Sequence, residues 1–149
     1  MNFLLDTNAV SAWLDHPRYV AMGKVVPVEM ARVYRRVAEL DVVAFSVLTA
    51  WEIDRGLLHG GAKRSRDQFQ SLLTKVLVVP VDGNVWGVAS DVWAASAMAG
   101  RMPGDVDALI VASAKVWGYT LVTHDSGMRT CAAAQSPPVS TVDWANESP

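Results

Sequence analysis

Four short runs of mainly Val and Leu, with a weaker fifth, recur along the sequence, and none alternates apolar with polar residues. They are Phe3 to Leu5, Val42 to Phe45, Val76 to Val79, Thr120 to Thr123 and, weakest, Val139 to Val142. A strand with one face in water shows a period of two, whereas a short, wholly apolar run fits a strand covered on both faces. Between these runs the period changes. Glu29 to Leu40 sets Met30, Val33, Val37 and Leu40 on one helical face, and Asn84 to Ala99 does the same with Val85, Val88, Val92 and Ala99. Strands alternating with amphipathic helices imply right-handed crossovers and a mainly parallel sheet of four or five strands between two helical layers. The expected fold is therefore a three-layer α/β/α domain. With 149 residues and no repeat or dividing linker, the chain reads as one domain over 1–149, with an edge strand after Pro137-Pro138 and a tail that frays over about 143–149.

Within this frame one carboxylate is out of place. Asp107 lies in Val106-Asp107-Ala108-Leu109-Ile110-Val111-Ala112-Ser113-Ala114, which reads as a helix buried nearly all round. Ile110, Val111 and Ala114 follow it at helical spacing, so Asp107 sits on an apolar stripe. A buried ionised carboxylate costs several kcal/mol unless a cation, metal or donor compensates it. Pro103-Gly104 breaks the chain just before, and Asp105 is expected to be the N-cap of this helix.

Three further acids are expected at the same place. In an open parallel sheet, ligands bind beyond the carboxyl ends of the strands. Asp6 ends the run Leu4-Leu5-Asp6, and Asp125 follows Leu121-Val122-Thr123-His124. Glu52 falls in the first turns of the helix after the second strand and Asp107 in the first turn of its own, so both belong to the same edge. Taken alone, each acid has a plainer role. Asp6 suits an Asx-turn or a helix cap, Asp125 a turn, and Glu52 and Asp107 the first turns of helices whose dipoles favour anions. Four carboxylates at one rim without matching cations repel one another and raise their pKa values. Hard oxygen ligands of this kind suit Mg²⁺ or Mn²⁺.

In order and spacing, Leu4-Leu5-Asp6-Thr7-Asn8, Ser46-Val47-Leu48-Thr49-Ala50-Trp51-Glu52, Asp107 to Ala114, and Leu121-Val122-Thr123-His124-Asp125 resemble the four signature blocks of PIN-domain ribonucleases. Within that superfamily the blocks look most like the VapC-type toxins of bacterial type II toxin–antitoxin systems. The resemblance runs from Met1 to about Val142 and is weakest from Asp15 to Leu40. It implies a Mg²⁺- or Mn²⁺-dependent endoribonuclease that hydrolyses phosphodiester bonds with metal-activated water. It also implies a homodimer and inhibition by a small antitoxin protein. Asp6, Glu52, Asp107 and Asp125 match the catalytic, metal-holding acids, and Asn8 and Thr123 the polar positions beside them. Asp105, two residues before Asp107, is a departure: a second acid there could compete as a ligand, but the cap role is favoured for it.

The remaining features narrow the reading less. A net charge of −2 argues against a broad electrostatic nucleic-acid binder but leaves room for an enzyme that meets phosphates through metal. Arg55, His59, Lys63, Arg64 and Arg66 form a basic stretch. It is either a solvated surface or, through Arg55, Lys63, Arg64 and Arg66, a set of RNA phosphate contacts. Arg32, Arg35 and Arg36 read as surface charge. His16, His59 and His124 lack metal-ligand spacing, and His124 is expected to point away from the rim. Trp51, Trp86, Trp93 and Trp117 are expected in the core or at an interface, with Trp86 and Trp93 sharing one face. The single Cys131, an N-terminus without a leader pattern and the lack of a 20-residue apolar run fit a cytoplasmic protein with no membrane span. Two rivals stand beside the nuclease. One is a catalytically weak RNA- or partner-binding module. The other is a phosphatase- or receiver-like domain, disfavoured because Asp6-Thr7-Asn8 lacks a second aspartate.

Overall fold

A computed structural model describes residues 1–147; Ser148 and Pro149, the end of the expected frayed tail, lie outside the described residues. The elements run β1 (Phe3–Leu5), α1 (Thr7–Ala21), α2 (Val28–Ala38), β2 (Ala44–Ser46), α3 (Val47–His59), α4 (Lys63–Leu72) and β3 (Leu77–Val79). Then follow α5 (Gly83–Met98), α6 (Asp105–Trp117), β4 (Thr120–Val122), α7 (Ser126–Ala133) and β5 (Thr141–Val142). All five strands pair in parallel, in the order β3-β2-β1-β4-β5. Helices cover both faces, as the unalternating runs require. No helix of the described residues is long and apolar enough to cross a membrane.

Each strand splits its side chains between two cores. Leu4, Ala44 and Leu121 join Val85, Val92 and Ile110 on the α5–α6–α7 side. Their neighbours Leu5, Phe45 and Val122 join Val10, Val33 and Phe69 on the opposite side. Adjacent strand residues point to opposite faces, so a three-residue strand serves both layers.

Strand-to-helix turns are short because a residue at the strand's end, or within three residues past it, caps the next helix. Asp6 accepts from the Ala9 N–H at the start of α1, and Ser46 from Leu48 N–H at the start of α3. Asp125 accepts from Met128 N–H at the start of α7. Such caps satisfy backbone donors that a helix start leaves open. The expected cap at Asp105 is not formed. The N-cap is Gly104, extended at φ −63° and ψ 152° with no side-chain bond, and Asp105 is the first helical residue. The helix starts one position early because the Gly104 carbonyl already accepts from Ala108 N–H at 3.0 Å.

Two further expectations are corrected. Trp51, Trp86, Trp93 and Trp117 all stay exposed, Trp86 by 69%, so none packs in the core, and of the two expected places only an interface is left to them. The chain also does not fray from residue 143, since Trp144 is only 2% exposed and Ala145 is buried as well. Trp144 lies edge-on to Phe3 with ring centroids 5.0 Å apart. Arg32 donates to the Ala145 carbonyl at 3.2 Å, and Arg36 pairs with Glu147 at 3.3 Å. These two arginines thus clamp the end of the described chain.

Candidate active site

The chain runs outward from β1 in two directions: β2 and β3 on one side, β4 and β5 on the other. The crevice beyond β1 and β4 is therefore a topological switch point, where open α/β sheets bind ligands. Asp6 leaves β1 there, its N–H bonded to the Val122 carbonyl at 3.1 Å. Thr123 and Asp125 leave β4 beside it, and the Thr123 hydroxyl accepts from Asp125 N–H at 3.1 Å.

Asp6 is buried, and one of its carboxylate oxygens, Oδ1, accepts from Ala9 N–H at 2.7 Å. Burial pushes its pKa up; Thr123, Ala9 N–H and His124 draw it back, and Asp125 adds to the rise. Glu52 comes from the second turn of α3 and is fixed by the Thr7 hydroxyl, which donates to Oε1 at 2.8 Å. Thr7 in turn stands 3.3 Å from the Thr49 hydroxyl. Arg55 approaches Glu52 at 3.8 Å while stacking over Trp51 at 4.1 Å.

Asp107 projects from the first turn of α6, ahead of a helix whose Ile110, Val111 and Ala114 are all buried. Desolvation pushes its pKa up, and the charges of Asp125 and Glu52 push it further. Among the described residues no cation lies within 4.0 Å of Asp107. Asp125 acts on both Asp6 and Asp107, and Glu52 acts on Asp107, so the four acids follow one another along the rim as linked neighbours.

Other expected site residues are spread around this rim. Asn8 is exposed in the first turn of α1, and Thr123 is buried. Lys63 and Arg64 are exposed at the start of α4. Arg66 is tied to Asp54 by two bonds of 2.9 and 3.0 Å. Sequence reasoning passed over Thr7, although it sits inside the Asp6-Thr7-Asn8 triplet. It also passed over Arg101, a lone cation before the Pro103-Gly104 break, which lines a cavity of about 260 Å³ with Asp107 and Asp125. A second cavity of about 660 Å³ opens beside Thr7 and Glu52 between α1, α3 and α4, floored by Trp13, Leu57 and Phe69.

The donor set is hard oxygen and predominantly anionic, which suits a divalent ion such as Mg²⁺ or Mn²⁺. Among the described residues, no three His, Cys, Asp or Glu side chains gather tightly enough to enclose an ion on their own. Mg²⁺ does not require such a cage, because it keeps several waters and takes one or two carboxylates directly. The uncompensated charge around Asp107 is the observation that makes these residues fit the ion.

An open α/β domain with an acid-lined rim at its switch point is a class of protein equipped to manage charge on a bound ligand. Residues 3–133 match the PIN domain, and the chain belongs to that family. PIN domains are generally nucleases and typically use divalent metals. A search of curated proteins gave no match. Among solved structures the chain is similar to DNA-bound VapBC from Salmonella typhimurium, at 20% identity and TM-score 0.70 over 97% of this chain and 98% of that one. VapBC-1 from nontypeable Haemophilus influenzae matches at 20% identity and TM-score 0.69, over 98% and 100% of the two chains. A toxin–antitoxin complex from Klebsiella pneumoniae matches at 14% identity and TM-score 0.58, over 85% and 88%. At these identities the likeness speaks for the fold.

Proposed function

We propose that the chain is a Mg²⁺- or Mn²⁺-dependent endoribonuclease and the VapC-type toxin of a type II toxin–antitoxin pair. The observation that carries the reading is the set of mutually repelling carboxylates at the switch point, with Asp107 lacking a cation partner. Asp6, Asp107 and Glu52 would hold the ion, and Asp125 a second one or its water. When bound, the ion lowers the pKa of water and offsets charge building on the phosphate oxygens.

The protein's own groups do the rest. Asp6 commits Oδ1 to the α1 cap, and the Thr123 side chain stands beside the same carboxylate. Thr7 fixes Glu52 in one orientation, and Thr123 holds the turn that carries Asp125. Asp125 is then placed to orient the attacking water and take its proton, while the P–O bond opposite the water breaks in line and the leaving oxygen takes a proton from solvent. Asn8 supports the rim, and Lys63, Arg64 and Arg55 meet flanking phosphates.

The antitoxin partner is drawn from the VapBC and toxin–antitoxin likenesses. Its seat would be the 660 Å³ apolar cavity beside Thr7 and Glu52. The exposed face carrying Trp86 and Trp93 offers apolar area for a homodimer.

The deciding experiment incubates purified chain with end-labelled RNA in Mn²⁺, in chelator, and with Asp6→Asn or Asp107→Asn in its place. Cleavage should require the ion and both aspartates; undiminished cutting by either variant overturns the assignment. A second reading, a module that binds RNA or protein without cutting, is favoured by the absence of a tight three-acid cluster among the described residues. A calorimetric Mn²⁺ titration separates the two, since the binding module needs no tight metal affinity.

A further inference from the structure

The rim also contains a cation that the reading above leaves unused. Arg101 sits in the turn between α5 and α6, and backbone geometry fixes it there. Gly100 adopts the left-handed conformation at φ +83°. Its N–H bonds the Ala97 carbonyl and the Arg101 N–H bonds the Ser96 carbonyl, each at 3.0 Å. This glycine-terminated helix end turns the chain sharply. It carries the guanidinium across to the first turn of α7. There Nη2 and Nε lie 3.4 and 3.7 Å from the point where a Cβ on Gly127 would stand. Asp125 Oδ1 lies 3.1 Å from the same point, so the bare backbone of Gly127 makes room for both groups.

Arg101 is nevertheless not spent on Asp125. That Oδ1 already accepts from Met128 N–H at 2.7 Å. Among the described residues Arg101 forms no ion pair within 4.0 Å. Arg55 and Arg66, by contrast, are each engaged with an acid. Arg101 therefore lines the cavity of Asp107 and Asp125 with its donors unclaimed by protein acceptors. A planar guanidinium presents paired N–H donors that match the oxygens of a phosphate.

We infer that Arg101 holds a non-bridging oxygen of the RNA phosphate at the point of cleavage, from the cavity it shares with Asp107 and Asp125. This role rests on the endoribonuclease reading. Acids alone repel the substrate; a fixed donor beside them gives the phosphate one orientation and meets its charge as the bond opens.

The test compares wild type with Arg101→Ala and Arg101→Lys, using single-stranded RNA and saturating Mn²⁺. Arg101→Ala should lower kcat about 10²- to 10³-fold, the usual loss for a donor to developing charge. Lysine should restore part of it. Added guanidinium should partly rescue Arg101→Ala but not Asp107→Asn. Mn²⁺ affinity and thermal melting should stay unchanged in Arg101→Ala; weaker Mn²⁺ binding would assign the arginine to metal-site structure and overturn the proposal. Binding of uncut RNA is measured in the Asp107→Asn background, with and without Arg101→Ala. The slope of log affinity against log salt should fall by about 0.7, one phosphate contact on a single strand. An unchanged kcat or an unchanged slope in the Arg101→Ala proteins overturns the contact. If wild type cuts no RNA with any ion, the nuclease reading fails by itself, and the slope still decides whether Arg101 meets phosphate.

Discussion

Helices α3 and α6 each bring a carboxylate from their early turns to the same rim, and they keep it under opposite conditions. On α3 the chain supplies the compensation: Thr7 donates to Glu52 at 2.8 Å, and Arg66 grips neighbouring Asp54. On α6 Asp107 lies ahead of a buried apolar helix and has acids for company. The pKa shifts follow. The Arg66 guanidinium pulls Asp54 below its ordinary value, whereas burial and the charges of Asp125 and Glu52 lift Asp107 above its own. Identical chemistry is thus neutralised internally at one site and left for an external cation at the other.

The sharpest way to break this contrast is kinetic. Asp107→Asn should lower metal-dependent RNA cleavage by roughly 10³-fold or more, on the scale of losing a metal's activation of water. Arg55→Ala on α3 should change it only a few-fold. Equal losses in a single-turnover assay would erase the distinction. Next in size is the response to the ion. At a Mn²⁺ concentration 100 times its Kd, wild type should gain about 2.7 kcal/mol of stability. Asp107→Asn should gain much less, as thermal melts at matched metal will show.

Smaller still is the effect without metal. Asp107 has a raised folded pKa, so its contribution to stability is full below the ordinary value of 3.8 and is lost as pH rises through the folded value. Metal-free Asp107→Asn should therefore melt above wild type at neutral pH, with the gap closing in acid. Glu52→Gln should show no such gain, because it weakens a bond from Thr7. A pH series of calorimetric melts checks both. The smallest effect belongs to Asp54, whose lowered pKa gives the reverse sign. Its contribution is present above 3.8 and fades as pH falls through the lower folded value, so Asp54→Asn should be slightly less stable at neutral pH and match wild type in strong acid.

What could be read in the sequence was whatever repeats at a fixed period or ends at a predictable edge. The apolar runs announced strands covered on both faces, and the split of Leu4 from Leu5 and of Leu121 from Val122 between two cores is the structural form of that pattern. Asp6 and Asp125 were legible because residues just past parallel strands emerge at one edge. Side chains set by long-range packing were not. Trp144 is indistinguishable in sequence from the exposed tryptophans, and only its seat against Phe3 and beneath Arg36 makes it core. Arg101 depends on a left-handed glycine before it and a side-chain-free residue on another helix, a coincidence no local period reports. Gly104 took the cap from Asp105 because the backbone closed one residue earlier than side-chain preference indicates.

Asp6 and Asp125 each secure the start of a helix with the very side chain that faces the rim. Asparagine performs that securing task almost as well as aspartate. An inactivating Asp-to-Asn change, reachable by a single nucleotide substitution, therefore leaves the scaffold standing. Under the proposed function, a gene disarmed in this way would still produce a full-shaped protein able to occupy an antitoxin.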